Sequence, residues 1–341
     1  MKQIKVLVIG QGFMGGIAHP RGILEANQQL RPQGIEFVMD CVAGRNEEKL
    51  AVTQKAYGYN RVSTNWEKEI GKADLVVVTS PNKDHAPMAV AALKAGKAVV
   101  CEKPLSSSLE QAQEMAAAAK KAGVPTMVTF CYQGAPGALE ARRLIQEGLV
   151  LGKKISELTA QTRVYDGDGE DLQMIRGSDK KAKGKAVDAF EAIAYFDNGC
   201  SITFRSNRTS TGHKAFFENT IHGNRGGVQW ELEDQAFLKF YSHTRPDGMK
   251  VSSRERGWTH IHLSDPGGEG HYNTDTVPGL INGYLQYFRW QYLHLGLALL
   301  GKPDKAYSVP SFADACQVEA VTDAIYRSGS KDGELTKVPK I

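Results

Sequence analysis

The feature of this sequence that most restricts its fold is a glycine-rich turn close to the first residue. Gly10-Gln11-Gly12-Phe13-Met14-Gly15 has GxGxxG spacing and lies between the apolar run Lys5–Ile9 and a helix-like segment. At this spacing the first glycine permits a tight turn, the second lets the backbone approach a pyrophosphate, and the third lets the helix pack closely on the strand. Free N–H groups at the helix start then meet the phosphates. The motif predicts a dinucleotide-binding βαβ unit.

Strand-like and helix-like segments alternate over the first 130 residues. The predicted strands are Lys5–Ile9, Phe37–Ala43, Leu75–Thr79, Ala98–Cys101 and Thr126–Phe130. The predicted helices between them include Glu47–Tyr57, Asp84–Ala95 and Leu109–Ala122. Apolar, β-branched runs bounded by turn residues suit strands that helices cover on both faces. We therefore predict an α/β fold, with a Rossmann-type doubly wound parallel sheet in residues 1–131.

The pattern changes near residue 150. Strand-like segments such as Ala192–Phe196, Ser201–Arg205 and Gln229–Leu232 are separated by glycine-rich turns, which favours an antiparallel sheet. Two predicted helices follow, at Leu280–Leu300 and Phe312–Ser328. Residues 132–341 are therefore predicted to form an α+β domain for substrate binding and oligomerisation, with an open, mainly antiparallel sheet. Its final helices could pack back on the first domain.

Composition excludes several classes of protein. The 341 residues, 41% of them hydrophobic, suit two globular domains. The net charge is +4, and the sequence has no long basic block of the kind that binds nucleic acid. The longest apolar segment is interrupted by polar residues, which argues against a membrane span. The first residues lack a signal-peptide pattern, and the cysteines are few and widely spaced, so we expect reduced thiols in a cytoplasmic protein. These cysteines are Cys41, Cys101, Cys131, Cys200 and Cys316.

The end of the second predicted strand bears on the choice of cofactor. An acidic residue usually stands there and accepts hydrogen bonds from the ribose 2′-OH. Here the place falls on Gly44, followed by Arg45, and Asp40 lies too early in the strand to substitute. A guanidinium suits a 2′-phosphate, so NADP is favoured over NAD. NAD stays open, because Arg45 could simply begin a solvent-exposed helical turn.

Two further loops follow predicted strands and so face the same crevice. The first contains Ser80, Pro81, Asn82 and His85, and the second is Cys101-Glu102-Lys103-Pro104. Loops at the carboxyl ends of parallel strands line the cofactor crevice of a doubly wound sheet. Lys103 could anchor a substrate hydroxyl and donate a proton. For His85 the alternative is a water-exposed residue at a helix start.

Together, the GxGxxG turn, Pro81-Asn82 with His85, and Glu102-Lys103-Pro104 resemble the Gfo/Idh/MocA oxidoreductase family. The resemblance covers residues 1–150 closely and resumes in the second half, around residues 206–214 and 221–227 and in the closing helices. The resemblance implies a Rossmann domain followed by an open sheet whose far face makes oligomer contacts. It also implies that Lys103 is the catalytic lysine, that Glu102, Asn82 and His85 line the nicotinamide pocket, and that Tyr132 lies near the substrate.

One departure from the family pattern concerns the general base. Members carry a segment after the sixth strand with an Asp and a His one helical turn apart, and the resemblance assigns these to the substrate hydroxyls. Here residues 146–154 run directly into a predicted strand at Ile155, so the chain is a few dozen residues short. The remaining candidates for the base are His271, Asp166 and Asp168. His19 is interpreted as a helix residue near the cofactor.

His260 and His262 share a strand face, which indicates either a metal pair or, preferably, a half-exposed strand. We therefore predict no metal site.

Two functions remain open from the sequence. The first is an NAD(P)-dependent dehydrogenase or reductase acting on a CH–OH group of a sugar or cyclic polyol. The second is a non-catalytic protein that holds a dinucleotide or a sugar on the same scaffold. In both cases we expect a small-molecule ligand, no nucleic acid or membrane partner, and a homo-oligomer (dimer or tetramer) formed through the second-domain sheet.

Overall fold

The computed structural model describes residues 1–145, 155–163, 189–196, 201–207, 210–223, 225–243, 250–252, 255–264, 279–281, 283–304 and 307–341. The chain divides into two compact units. One comprises Met1–Val150 with Phe216–Glu319, and the other comprises Leu151–Ala215 with Ala320–Ile341.

The first unit contains a six-stranded parallel sheet in the order β3-β2-β1-β4-β5-β6. Its strands are β1 Lys2–Ile9, β2 Ile35–Ala43, β3 Arg61–Ser63, β4 Leu75–Val78, β5 Ala98–Cys101 and β6 Thr126–Val128. The predicted doubly wound sheet is thereby confirmed. The short strand β3 has no apolar run and was absent from the prediction. The strand order reverses between β1 and β4, which is where open α/β sheets form a ligand crevice.

Helices connect these strands. They are α1 His19–Leu30, α2 Glu47–Tyr57, α3 Glu67–Ile70, α4 His85–Lys94, α5 Leu109–Ala122 and α6 Pro136–Leu144. The bounds of α2 and α5 are those predicted, because each helix has a clear sequence signal at both ends. Asn46 and Ser108 cap their N-termini, and Gly58 and Gly123 end them in the left-handed conformation.

The parallel sheet is covered on both faces. Val6 and Val8 of β1 pack into one apolar cluster, and Leu7 and Ile9 pack into another. A strand points alternate side chains to opposite faces, so a continuous apolar run is what two covered faces require.

The remaining strands form antiparallel sheets, as predicted. In the first unit, β10 Glu218–His222, β11 Gly226–Glu231, β12 Phe237–Ser242 and β13 Thr259–His262 pair in sequence order. In the second unit, β7 Ile155–Arg163, β8 Ala189–Phe196, β9 Ser201–Asn207 and β14 Thr336–Lys337 pair in the order β14-β7-β8-β9. Burial alternates along β8, with Ala192 and Ala194 buried and Ile193 and Tyr195 exposed, so one face of this sheet packs inward.

Two long helices follow, α7 Tyr284–Leu299 and α8 Phe312–Gly329. Tyr292 of α7 joins one apolar cluster of the parallel sheet, and Phe312 at the start of α8 joins the other. Glycine allows α7 to approach α1 closely, because a Cβ built on Gly22 would lie 2.6 Å from Phe288 Cβ. Within the described ranges, no helix combines the length and apolar character needed to cross a membrane.

Four of the five cysteines fall in the described residues, and all four are free and buried, as expected. They are Cys41, Cys101, Cys131 and Cys316. Cys200 lies outside the described residues.

Candidate functional site

The glycine-rich turn joins β1 to a helical turn of π type, Met14–Ala18, which continues into α1. Gly10 has φ of +122°, and a Cβ there would lie 2.7 Å from the Thr79 carbonyl oxygen. A Cβ on Gly15 would lie 3.0 Å from the Gly10 carbonyl carbon. Packing within the protein therefore explains the first and third glycines of the motif.

Packing does not explain Gly12. A Cβ built on this residue would meet nothing within 4 Å, and the residue is exposed. The turn therefore leaves open space over its central glycine, beside backbone N–H groups at a helix start that have no intrahelical acceptor. Phe13 is 55% exposed beside it and Met14 is half-buried. This open cradle fits the pyrophosphate of a dinucleotide.

Gly44 and Arg45 lie at the carboxyl end of β2, as predicted. The Arg45 side chain is exposed, and in the described part of the chain no carboxylate or carbonyl contacts its guanidinium. The Gln11 side chain bends across Gly44 and is hydrogen-bonded to the backbone of Asn46. The carboxyl end of β2 therefore presents a cation and an amide where dinucleotide-binding domains usually have an acidic residue.

Lys103 follows β5 on the same edge of the sheet. Its side chain is exposed, and among the described residues no acceptor binds its ammonium group. Its backbone is held firmly, because the Lys103 N–H donates to Glu102 Oε2 at 3.1 Å. The lysine therefore combines a fixed backbone with a side chain available to a ligand.

Glu102 is the centre of a buried hydrogen-bond network. Its Oε1 lies 2.9 Å from His19 Nε2 and 2.8 Å from Thr129 Oγ1. His19 Nδ1 in turn lies 2.6 Å from the Tyr292 hydroxyl. Because a carboxylate can only accept, His19 donates through Nε2, and in the neutral ring Nδ1 accepts from Tyr292.

The network keeps Glu102 ionised. Burial by itself would raise the pKa of this carboxyl, but the hydrogen bonds from His19, Thr129 and the Lys103 N–H lower it below its ordinary value. Glu102 is 5% exposed, so a buried negative charge lies next to the backbone N–H of Lys103. Sequence reasoning missed the role of His19 as the partner of Glu102.

His85 is completely buried, so the alternative of a water-exposed helix residue is wrong. Its Nδ1 lies 2.9 Å from the Pro104 carbonyl oxygen, and its Nε2 lies 2.9 Å from the Ser80 carbonyl oxygen. A neutral ring donates to one of these carbonyls and an imidazolium donates to both. The buried imidazole therefore contacts both of the loops predicted to line the crevice.

The loop after β4 places its other predicted residues differently. Pro81 and Asn82 are exposed, and the Oγ atom of Ser80 is buried without a hydrogen-bond partner in the described structure. Asn82 is therefore the side chain of this loop most available to a ligand, whereas Ser80 and His85 contribute to its position.

Tyr132 follows β6 and lies in a group of aromatic rings. It stacks on Phe217, with ring centroids 5.2 Å apart and planes 29° apart. Tyr284 and Tyr287 contact it edge-on, at 6.0 and 6.4 Å. Burial raises the pKa of the Tyr132 hydroxyl, so this group stays a neutral hydrogen-bonding partner at neutral pH. Phe217, which is 39% exposed, was not anticipated from the sequence.

The remaining candidates divide into two groups. His260 and His262 are exposed on β13, which confirms the half-exposed strand, and the described residues contain no group of three or more His, Cys, Asp or Glu side chains able to hold a metal. His271, Asp166 and Asp168 lie outside the described residues, as does the stretch 146–154 that precedes the strand at Ile155.

The fold and the site define a dinucleotide-binding oxidoreductase scaffold. Residues 4–130 match the model of the Gfo/Idh/MocA family, an oxidoreductase family with an NAD-binding Rossmann fold. The match covers the first domain, and the NAD-binding Rossmann domain predicted from the sequence is confirmed.

Similar proteins include sugar and polyol dehydrogenases. The chain is 25% identical to levoglucosan dehydrogenase of Pseudarthrobacter phenanthrenivorans over 406 aligned positions that cover 100% of both proteins. It is 30% identical to inositol 2-dehydrogenase of Salmonella paratyphi B over 151 residues, which cover 42% of each chain.

Solved structures share the fold over the whole chain. An oxidoreductase domain protein from Kribbella flavida superposes with a TM-score of 0.86 at 24% identity, covering 100% of both chains. A levoglucosan dehydrogenase in complex with NADH and levoglucosan has a TM-score of 0.86 at 22% identity, covering 99% of this chain and 100% of that one.

Proposed function

We propose that this protein transfers hydride between a nicotinamide cofactor and a CH–OH carbon of a sugar or cyclic polyol. The observation that carries the proposal is the state of Lys103 at the carboxyl edge of the parallel sheet. Its side chain is exposed, and its backbone N–H is hydrogen-bonded to Glu102. The open cradle over Gly12 lies on the same edge.

The nicotinamide, when bound, supplies or accepts the hydride. In the proposed site, Lys103 Nζ donates a hydrogen bond to the substrate oxygen and orients it, and in the direction of reduction it gives that oxygen a proton. The buried carboxylate of Glu102 fixes the lysine backbone. Gly12, Phe13 and Met14 would hold the pyrophosphate through backbone N–H groups. Asn82 would contact the ribose or nicotinamide side.

The carbohydrate class is supported by the names of relatives and by the aromatic group around Tyr132. Levoglucosan dehydrogenase and inositol 2-dehydrogenase both act, by name, on ring-shaped polyhydroxy compounds. The Tyr132–Phe217 pair offers an apolar wall with a hydroxyl at its edge. Such a wall can pack on the C–H face of a ring while hydroxyl groups bind elsewhere.

We propose NADP(H) as the preferred cofactor, since Arg45 is exposed at the ribose end where an acidic residue would favour NAD(H).

A cytoplasmic location is part of the same proposal, and the four free, buried thiols support it. We also propose a homo-oligomer through the sheet of the second unit. The exposed side chains of Ile193 and Tyr195 on the open face of β8 support this assembly.

A second candidate is a binding protein without turnover. The observation that favours it is chain length, since 341 residues align over 406 positions with levoglucosan dehydrogenase and the relative must hold residues without a counterpart here. If the Asp/His segment is among them, the proton of a substrate hydroxyl has no base within reach. We therefore expect a wide cleft beside Lys103 and weak polyol oxidation.

Two measurements test the proposal. Fluorescence titration with NADPH and NADH should show saturable binding, and a stopped-flow screen of NADP+ reduction against inositols, aldoses and anhydrosugars should identify a substrate. Binding without turnover on any of these would favour the second candidate. Absence of binding to both cofactors would contradict both functions.

A further inference from the structure

The space beside Gly44 is filled by a side chain from another loop. A Cβ built on Gly44 would lie 2.6 Å from Cγ of Gln11, closer than real Cβ contacts come. Gln11 Nε2 donates to the Asn46 carbonyl oxygen at 3.1 Å, and the Asn46 N–H donates to Gln11 Oε1 at 3.4 Å. The amide of Gln11 is therefore held over the end of β2, in the volume that the side chain of an acidic residue 44 would enter.

The hydrogen bonds determine which group Gln11 presents to a ligand. A carboxamide has two N–H donors and one oxygen. The oxygen and one N–H face the backbone of Asn46, so the second N–H is the group left over, and no acceptor for it exists among the described residues. Together with the exposed guanidinium of Arg45, this end of the crevice offers donors and a positive charge.

We propose that Gln11 is a specificity-determining residue for the cofactor, a role that rests on the proposed dinucleotide site. Its amide occupies the volume that the side chain of an acidic residue 44 would enter. Its free N–H donates to a ribose 2′-phosphate beside Arg45. The selective group thus comes from the glycine-rich turn, whereas the usual acid comes from the second strand.

The test is Gln11→Glu, which keeps the shape of the side chain and replaces the donor by a carboxylate. A carboxylate there repels a 2′-phosphate and accepts from a 2′-OH. We expect the preference for NADPH over NADH, measured as the ratio of dissociation constants by fluorescence titration, to fall by about tenfold or more. The control is Gln33→Glu, which makes the same charge change at an exposed residue of the Arg31–Gln33 turn.

A second variant, Gln11→Met, keeps the test valid if the carboxylate prevents folding. It removes the donor without adding charge, and we expect weaker NADPH binding with NADH binding nearly unchanged. An unchanged ratio in both folded variants, with cofactor binding intact, would overturn the role of Gln11 and leave the proposed function standing. A wild-type protein that binds neither cofactor would overturn both.

Discussion

The imidazole of His19 and the carboxylate of Glu102 are hydrogen-bonded across 83 positions of sequence, with His19 Nε2 2.9 Å from Glu102 Oε1. Both side chains are buried. The pair therefore joins the helix that follows the glycine-rich turn to the loop that carries Lys103.

A double-mutant cycle measures this pair. His19→Phe leaves the Glu102 carboxylate buried with one donor fewer, and we expect the free energy of unfolding to fall by about 1–3 kcal/mol. In a Glu102→Gln background the same His19→Phe change should cost less, since no buried charge loses its partner. Urea unfolding at pH 7 provides the values. Additive effects of the two substitutions would show that the hydrogen bond contributes nothing to stability.

Lys103→Met tests the proposed catalytic lysine. The ammonium contacts no described acceptor, so its removal should leave folding and NADPH affinity nearly unchanged. Turnover on any substrate found by the screen should fall by about hundredfold or more. Lys121→Met, an exposed lysine at the end of α5, is the matched control and should retain wild-type rates. Equal rates for the two variants would assign Lys103 a structural role.

Arg45→Asp tests cofactor choice at the ribose end. A carboxylate in place of the exposed guanidinium repels a 2′-phosphate and accepts from a 2′-OH, so the variant should prefer NADH. The wild type should prefer NADPH. A wild type that binds NADH about tenfold more tightly, equivalent to about 1.4 kcal/mol, would contradict this assignment.

Two glycines of the turn should respond differently to alanine. A methyl group on Gly12 meets nothing within 4 Å, so Gly12→Ala should change the free energy of unfolding by about 0.5 kcal/mol or less. It should still weaken NADPH binding, because the methyl group fills the open cradle. Gly15→Ala places a Cβ 3.0 Å from the Gly10 carbonyl carbon and should destabilise the fold by about 1–3 kcal/mol. Equal losses of stability in both variants would show that Gly12 is needed for packing.

The loss of stability at low pH, measured as the free energy of unfolding, should depend on Arg61. Burial tends to raise the pKa values of Asp40 and Glu69, but hydrogen bonds from Arg61 lower both below their ordinary values. Because the folded pKa values lie below the unfolded ones, about 3.9 for Asp and 4.3 for Glu, this stabilisation is present above that range and is lost as pH falls below it.

Arg61→Met should therefore lower the urea midpoint at pH 7 and make the further loss between about pH 5 and 3 shallower. Arg205→Met is a control, since Arg205 is an exposed arginine whose carboxylate partner among the described residues, Glu191, is also exposed. An unchanged acid slope in Arg61→Met would contradict the role of Arg61.

The parallel sheet could be predicted because its signals are local. The apolar runs of β1, β4 and β5 mark buried strands, and cap residues such as Asn46 and Gly58 mark the ends of α2. The positions of Lys103 and Gly12 at one sheet edge follow from this topology.

What could not be predicted depends on contacts between distant residues. Gln11 meets Asn46 across 35 positions, and Tyr132 meets Phe217 only after the antiparallel sheet has formed. The polar character of Arg61–Ser63 conceals a strand that forms by pairing with β2. None of these contacts has a periodicity or a motif that a single sequence displays.

The two carbonyl contacts of His85 have a mechanical consequence. One nitrogen of a single ring holds the loop after β4, and the other holds the residue that follows Lys103. A ligand that displaces Ser80 would therefore also disturb the position of Pro104, through the ring that contacts both carbonyls. In the proposed site these two loops face the cofactor and the substrate, so the buried His85 ring gives a direct path by which cofactor binding could alter the position of the lysine loop.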